Sequence, residues 1–588
     1  MTGVEIVLAL IKIIVMIAFL LGLAPIAIWA DRRQSAMVQG RPGPNRAVFF
    51  IPSMAARGIV VGPPLLFAAI AGFTATMTLT PRAAYEGTII AIQLAVLAGW
   101  FSLLILWKTV HGSGAINRFE ELVASAEPRN IFYGGVAAHL AGLFLARLIP
   151  RESAPLSARV TLGVLAALLL VIGFYGASRV PDGKVGVRLA GTLHPAADAL
   201  KLIFKEDFVP TNADKLLHAL APILAIFPAF ITFAIIPFGD KLCFGDNGDG
   251  EFGFADLGLL QRSVDQGFQC AGHVVNLQVA DLNVGILYLF AMAGTSVVGA
   301  AIAGWASDNK FSLLGGLRAS SQMVSYEVAM GLSLVGLFMI YGSLQLGPMV
   351  EWQRENAWGI FIQPLAFFLF LAALNAELKR VPFDAPEGES EIVAGYFLEY
   401  SGMKWGMFMA GEYVELLVSS ALLTTLFLGG YSLPFLYRDG ITVAFGDTTL
   451  FQYKMTHLSV TIIQVLTFFG KTIVVSWVQI FFRWTLPRFR YDQIMRLGWT
   501  KLLPLAIANM MVTGIVVIAI DSAPVGFQGG LKVVGQVTQA LLAVGGLAAV
   551  VALVAGLLEP VKREQFLASS AARFAAAAGG SKPSPQQT

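Results

Sequence analysis

The chain has 588 residues, of which 56% are hydrophobic and 13% charged, with a formal net charge of +3 and a mean hydropathy of +0.71. A soluble globular chain carries about 25% charged residues, and this one lacks the polar surface to coat a water-soluble particle of its size, which excludes a soluble enzyme. No Lys/Arg block is present that would track a phosphate backbone, so nucleic acid is excluded as a partner.

Apolar windows of about 20 residues cross a ~30 Å hydrocarbon core as helices. In chain order they fall at 5–29, 58–80, 88–108, 132–149, 159–178, 215–237, 283–305, 325–343, 358–376, 405–430, 458–482, 502–522 and 532–558. The first keeps Glu5 and Lys12 in its hydrophobic run and has no Ala-x-Ala cleavage site, so it reads as a retained span rather than a signal peptide. Alternating barrel strands of about ten residues are absent. The expected fold is all-α: a polytopic transmembrane helical bundle of about 13 spans. Beyond Lys562 the tail is rich in Ala, Ser, Gly, Pro and Gln, with a helix expected over 563–578 and disorder over 579–588.

Basic residues near span ends set the sidedness. Loop 31–46 holds Arg32, Arg33, Arg41 and Arg46, and loop 483–501 holds Arg483, Arg488, Arg490, Arg496 and Lys501, so both are expected in the cytoplasm. Loop 238–280 sets Asp240, Asp246, Asp249, Glu251, Asp256 and Asp265 against Lys241 and Arg262, and is expected outside. Cys243 and Cys270 both lie there, where a disulfide and two unpaired thiols remain open alternatives. Two cysteines cannot supply a four-thiolate Fe–S cluster. CxxC, P-loop and GxGxxG signatures are missing, so no metal, nucleotide or redox cofactor site is expected in this chain.

The loop 377–404 reads ELKRVPFDAPEGESEIVAGYFLEYSGMK and carries six carboxylates in 23 residues: Glu377, Asp384, Glu387, Glu389, Glu391 and Glu399. Only Lys379, Arg380 and Lys404 oppose them. Part of this is explicable as helix-start chemistry, because Asp384-Ala-Pro-Glu387 has capping-box spacing. Glu391, one helical turn after Glu387, and Glu399, set among Tyr396, Phe397, Leu398 and Tyr400, are left over. Carboxylates crowded against apolar surface have their pKa values pushed apart and upward, which lets them hold and exchange protons near neutrality. Glu327, Glu412, Glu415 and Lys471 fall inside spans. A charge at a lipid-facing helix centre costs roughly 2.5–3.5 kcal/mol, so these side chains should face the bundle interior. A proton-carrying path and a buried Lys–Glu pair that merely joins helices both meet that condition. The arginine rim suits a lipophilic molecule whose head becomes anionic, although ordinary positive-inside topology accounts for most of those arginines.

GRPGPNR (40–46), LHPAADALKLIFKEDFVP (193–210), LQVADLNVGILY (277–288), AGWASDNKFSLLGGLRASSQMVSYEVAMGLSL (303–334), the acidic loop itself, GEYVELLVSSALLTTLFLGGY (411–431) and WTLPRFRYDQIMRLGWTKLLPLA (484–506) occur in one order. Together they resemble the quinone-site membrane subunit of respiratory complex I, known in bacteria as the H subunit of the NADH–quinone oxidoreductase and in mitochondria as subunit 1. The resemblance covers 31–46, 185–238 and 279–522. It implies a multi-pass protein of the bacterial inner membrane that shapes the cavity for ubiquinone or menaquinone and starts the path coupling quinone reduction to proton translocation. It implies no cofactor bound by this chain itself, with FMN and Fe–S clusters carried by partner subunits of the peripheral arm, and further small membrane subunits alongside. Carried over by position, proton coupling would fall to Glu327, Glu377, Asp384, Glu387, Glu389, Glu391, Glu399 and Glu412, and quinone binding to Arg41, Arg46, Asp198, Lys201, Arg380, Arg488 and Arg490.

The expected organisation follows: 1–46 as first helix and GPNR loop, 47–184 as an insertion with about four helices, 185–522 as the rest of a family core of about eight spans, and 523–588 as an extra helix and tail. Relatives pass directly from GPNR to the surface helix, so the insertion departs from the family, and a peripheral bundle near the quinone entrance is expected of it. Homologous subunits of membrane-bound hydrogenases share the bundle but keep less of the GPNR, EYSG and RYDQ sequences. A stand-alone ion transporter would call for the repeat symmetry that is absent here.

Overall fold

The structure is a computed structural model, and it describes residues 3–39, 43–44, 49–52, 54, 110–112, 184–187, 191–246, 252–253, 256, 261, 270, 272–445, 448–524 and, with short breaks, 533–548. The windows at 58–80, 88–108, 132–149 and 159–178 lie outside the described residues, as does the tail 563–588.

Among the described residues seven helices are long and apolar enough to cross a membrane. They are α1 (Gly3–Val38), α3 (Lys215–Phe233), α4 (Gly285–Ala306), α5 (Lys310–Tyr341), α8 (Gly402–Phe427), α9 (His457–Thr485) and the continuous run Tyr491–Asp521, in which α10 (Tyr491–Leu497) and α11 (Leu503–Asp521) are joined by a π-helical turn. The amphipathic helix α2 is Leu193–Phe204, α6 is Leu346–Glu355 and α7 is Pro364–Glu377. With 14 residues, α7 is about 21 Å long and falls short of the membrane core. Val533–Gly546 is a further short apolar helix, the described part of the 532–558 window.

Polar caps fix where several spans begin. Asp214 accepts from the amides of Leu216 and Leu217 at 3.0 and 3.1 Å, and Asn309 from Phe311 at 2.9 Å, each satisfying donors that a helix start leaves open. In α2 the apolar side is uncovered, with Leu200, Ile203 and Phe204 at 57%, 57% and 84% exposure, as suits a helix lying along a membrane interface.

The chain divides into two units. The first comprises 1–30, 81–91 and 195–548. Its core is built around α5 and α8. The most apolar stretch of α8 is 72% buried, against 50% for α5 and less for the other spans. Tyr326, Leu334, Phe370, Val414, Leu426, Phe427 and Phe468 form the centre of this core. At one end of the bundle lie two small antiparallel sheets, β4 (Leu242–Phe244) with β5 (His273–Val275), and the strands Leu436–Tyr437, Gly440–Phe445 and Thr448–Lys454. A disulfide joins Cys243 to Cys270, which closes the alternative left open above. Asp240, fully enclosed, accepts from Arg354 at 3.0 Å and from Arg438 at 2.7 and 3.0 Å. Lys471 pairs with no acid among the described residues. Its ammonium donates to the carbonyls of Leu428, Gly430 and Ser432 at 2.7, 3.1 and 2.6 Å, capping the carbonyl end of α8.

The second unit comprises 31–80, 92–194 and 549–588. Its described part includes a three-stranded sheet in which β1 (Phe49–Pro52) and β2 (Val110–Gly112) each pair antiparallel with β3 (Lys184–Val187). The register Phe49↔Val187 to Pro52↔Lys184 brings the two ends of the expected insertion side by side.

Candidate functional site

The acidic loop leaves α7 at Glu377 and turns back between α5 and the segment leading into α10. Gln322 of α5 donates from Nε2 to the carbonyls of Ala376 and Phe383 at 2.7 and 2.8 Å. The Phe489 amide donates to the Pro382 carbonyl at 3.0 Å. Phe383 is wedged between the rings of Tyr326 and Phe489, with centroids 5.5 and 5.7 Å away. The Tyr326 hydroxyl reaches across to the Ile494 carbonyl at 2.8 Å. The far side of the loop presses on α5 at Gly315, where a Cβ would fall 2.6 Å from the Tyr396 nitrogen. Only a residue without a side chain lets the two backbones come this close.

These contacts bury charge. Glu377, Lys379, Arg380, Asp384 and Glu412 are all enclosed. Lys379 lies 3.7 Å from Glu415, and burial, which alone would lower its pKa, is outweighed by Glu415, Glu412 and other nearby carboxylates, so the ammonium is held above its ordinary value. Arg380 sits over the Tyr413 ring at 4.1 Å, its three guanidinium nitrogens without hydrogen-bond partners. Asp384 pairs with Arg488 at 2.6 Å. Burial pushes its carboxyl up to about 6, with Arg488 pulling the other way. Glu387 shares a hydrogen bond with Glu412, and burial together with that neighbouring carboxylate drives the Glu387 carboxyl well above its ordinary range. A carboxyl raised in this way keeps its proton, so Glu387 is the proton-bearing member of the contact.

Toward the bundle interior, Glu377 feels the charges of Glu415 and Glu327. Glu377 and Glu415 face a cavity of about 50 Å³ whose wall includes Ser296, Ser419, Thr232 and Met330, and a space of that size admits water. Glu327 points at Gly294 of α4, whose missing side chain leaves room for the carboxylate. The arrangement is a line of carboxyls, Asp384, Glu387, Glu412, Glu415, Glu377 and Glu327, with two buried cations beside it.

The remaining expected residues lie elsewhere. Glu391 is at the surface, paired with Arg318 at 2.6 Å. Glu399 accepts from Asn309 at 2.6 Å, at the start of α5. Glu389 opens a single helical turn, Glu389–Ile392, and its side chain lies outside the described residues. Asp198 and Lys201 are on α2. Arg490 is 75% exposed and pairs with Asp492 at 3.2 Å. Arg41 and Arg46 lie outside the described residues. The capping-box reading of Asp384 and Glu387 fails, because no helix starts there: the next helical turn begins at Glu389, and the Asp384 carboxylate is drawn to Arg488 instead. Gln322, Tyr396 and Tyr413 were not singled out by sequence. Tyr396 is buried with Glu412, Glu387, Glu415 and Asp384 as electrostatic neighbours, which with burial raise its phenol well above the usual value.

Fold and site together define a multi-pass helical membrane protein with a buried carboxylate line running from the acidic loop into its bundle. A family model described as NADH dehydrogenase matches residues 160–514. The chain is 39% identical over 354 residues to one form of the NADH-quinone oxidoreductase H subunit of Cytophaga hutchinsonii, covering 59% of this chain and 92% of that protein. It is 44% identical over 324 residues to a form of the same H subunit from Geobacter metallireducens (55% and 82%), and 41% identical over 357 residues to that from Bacillus thuringiensis (61% and 89%). The chain belongs to the NADH dehydrogenase family of membrane subunits.

Proposed function

We propose that this chain is the quinone-site membrane subunit of a proton-translocating NADH–quinone oxidoreductase of a bacterial inner membrane. The observation that carries the reading is the buried line of carboxyls behind a loop that family members share with it. On this reading the arginine-bearing end of the bundle faces the cytoplasm and the disulfide-closed end faces outward. Electrons arrive from FMN and Fe–S centres in peripheral-arm subunits, and the quinone head is reduced beside the acidic loop.

Two-electron reduction makes the quinone oxygens strongly basic, and two protons must follow. Arg380, buried and without hydrogen-bond partners, attracts the anionic head. Arg488 holds Asp384 in place for it. Glu387, beside Glu412, releases one of the two protons toward the reduced head, and the second comes from water on the cytoplasmic side. The charge left on Glu387 draws a proton along Glu415, Glu377 and Glu327 through the hydrated cavity. Asp198, Lys201 and Arg490 would guide the head at the entrance, with Arg41 and Arg46 as further basic positions. Glu389, Glu391 and Glu399 would tune the loop from its outer side.

The test is to tag the chain, extract it gently from its own membrane and identify what co-purifies. NADH-oxidising flavoprotein and Fe–S subunits are expected. A nickel–iron hydrogenase subunit in their place, or a lone chain, contradicts the reading.

A further inference from the structure

The disulfide-closed end of the bundle carries a side-chain group that the carboxylate line does not use. Asp246, Asp256 and His273 each bring one ligand atom within 4.8 Å of the other two. The chain is built to bring them there. β4 and β5 pair antiparallel with Phe244 opposite His273, and the disulfide between Cys243 and Cys270 fastens the same two segments. Gly272, next to His273, lies so close to the β4 end that a Cβ would fall 2.8 Å from the Asp246 nitrogen and from the Gly245 carbonyl carbon. A side chain there would drive Asp246 and His273 apart. Asp256 is returned to the group by a tight turn, its carboxylate accepting from the Gly253 amide at 2.8 Å and its own amide donating to the Gly253 carbonyl at 3.2 Å. The imidazole packs on Phe252 with centroids 4.9 Å apart, which orients the ring. Its Nε2 is buried without a hydrogen-bond partner. An orphaned imidazole nitrogen costs free energy unless it binds something, and the two carboxylate oxygens beside it are the ligand type that completes a cation site with an imidazole.

We propose that Asp246, Asp256 and His273 form a divalent-cation site of the zinc class that locks the outer loop onto the bundle. A mixed set of one imidazole nitrogen and two carboxylate oxygens suits Zn²⁺ or Mn²⁺, whereas Ca²⁺ prefers oxygen ligands alone. Three protein ligands leave one position for water. The residues are scattered over a loop with no compact ligand motif, so the sequence carries no sign of the site. The same lobe packs Phe244 and Phe252 against Val4 at the start of α1, so the bound ion would tie that lobe to the first span.

The test uses the full chain purified in detergent, stripped with a chelator, and titrated separately with Zn²⁺, Mn²⁺ and Ca²⁺. The bound metal is measured by elemental analysis. Wild type is expected to retain one Zn²⁺ or Mn²⁺ per chain. His273→Ala and Asp246→Asn should each bind at least roughly tenfold more weakly, the scale seen when the supporting shell of a metal site is damaged. Asp246 is exposed, so Asp246→Asn disturbs no core, and resistance of the cysteines to thiol labelling without reductant shows that the lobe is intact in both variants. Stoichiometric binding that both variants keep, binding of Ca²⁺ alone, or no stoichiometric metal in wild type would overturn the proposal.

Discussion

Asp240→Asn keeps the shape of its side chain and removes one charge from a fully enclosed ion cluster in the bundle. The Asp240 side chain is 0% exposed, and Arg354 and Arg438 are 6% and 7% exposed, so water screens little of the loss. Four hydrogen bonds of 2.7 to 3.0 Å end on this carboxylate, three from the two arginines and one from the Lys241 amide. Glu351 still reaches Arg438 at 2.6 Å, so the variant leaves chiefly Arg354 uncompensated. Breaking a buried pair by deleting one partner costs about 3–5 kcal/mol, and the surviving Glu351 contact places this case near the lower end. Burial alone would raise the Asp240 pKa, but the hydrogen bond and charge of Arg438 and the charge of Arg354 outweigh it and hold the carboxyl below its ordinary value. The stability it supplies is therefore present above the ordinary carboxylate range and is lost as pH falls through the lowered value. The assay is the temperature at which half the detergent-extracted chain stays monodisperse, measured at neutral and at acid pH. Asp240→Asn should melt well below wild type at neutral pH, with the gap closing in acid. Equal melting at neutral pH would refute the reasoning.

Gly315→Ala sets a Cβ against the backbone of Gly395 and Tyr396, at 2.6 to 2.7 Å, and must push the acidic loop away from α5. Overpacking of this kind costs about 1–3 kcal/mol. The complex should still assemble and oxidise NADH with an artificial acceptor while quinone reduction falls, and unimpaired quinone reduction would count against the loop's role. Arg488→Gln removes the cation that restrains the Asp384 carboxyl, so its pKa climbs beyond about 6. The acidic limb of the pH profile for quinone reduction should move to higher pH, and an unmoved limb excludes Asp384 from the reaction. Because the folded value of Asp384 already exceeds its ordinary one, that carboxyl favours the folded chain at low pH, and the contribution is lost as pH rises toward about 6.

Hydropathy alone placed the seven described helices that are long enough to cross a membrane, because twenty apolar residues in a row have few other uses. It also made a full span of the window at 358–376, where the helix α7 is only 14 residues long. The start of α5 was harder to see. It begins at Lys310 rather than near 325, since Lys310, Arg318 and Gln322 dilute its apolar signal while Asn309 caps it. Composition also marked the acidic loop, but not which of its carboxyls converge. Asp384 and Glu387 have the spacing of a helix start, yet their partners are Arg488 and Glu412, more than twenty residues away in the chain, and nothing local reports such contacts. Glu387 and Glu391 do not share a helical face, because the helical turn begins only at Glu389. Lys471 was equally compatible with an acid partner, and only the fold shows the carbonyl end of α8 beneath it.

The most direct measurement is the number of protons moved per NADH oxidised, in inverted membrane vesicles carrying Glu412→Gln. Gln keeps the size and polarity of the side chain but removes the neighbouring carboxylate that helps Glu387 hold its proton. With assembly matched to wild type, the ratio of protons to NADH should fall. A complex that assembles, reduces quinone at the wild-type rate and pumps with an unchanged ratio would contradict the coupling role of the buried carboxyl line.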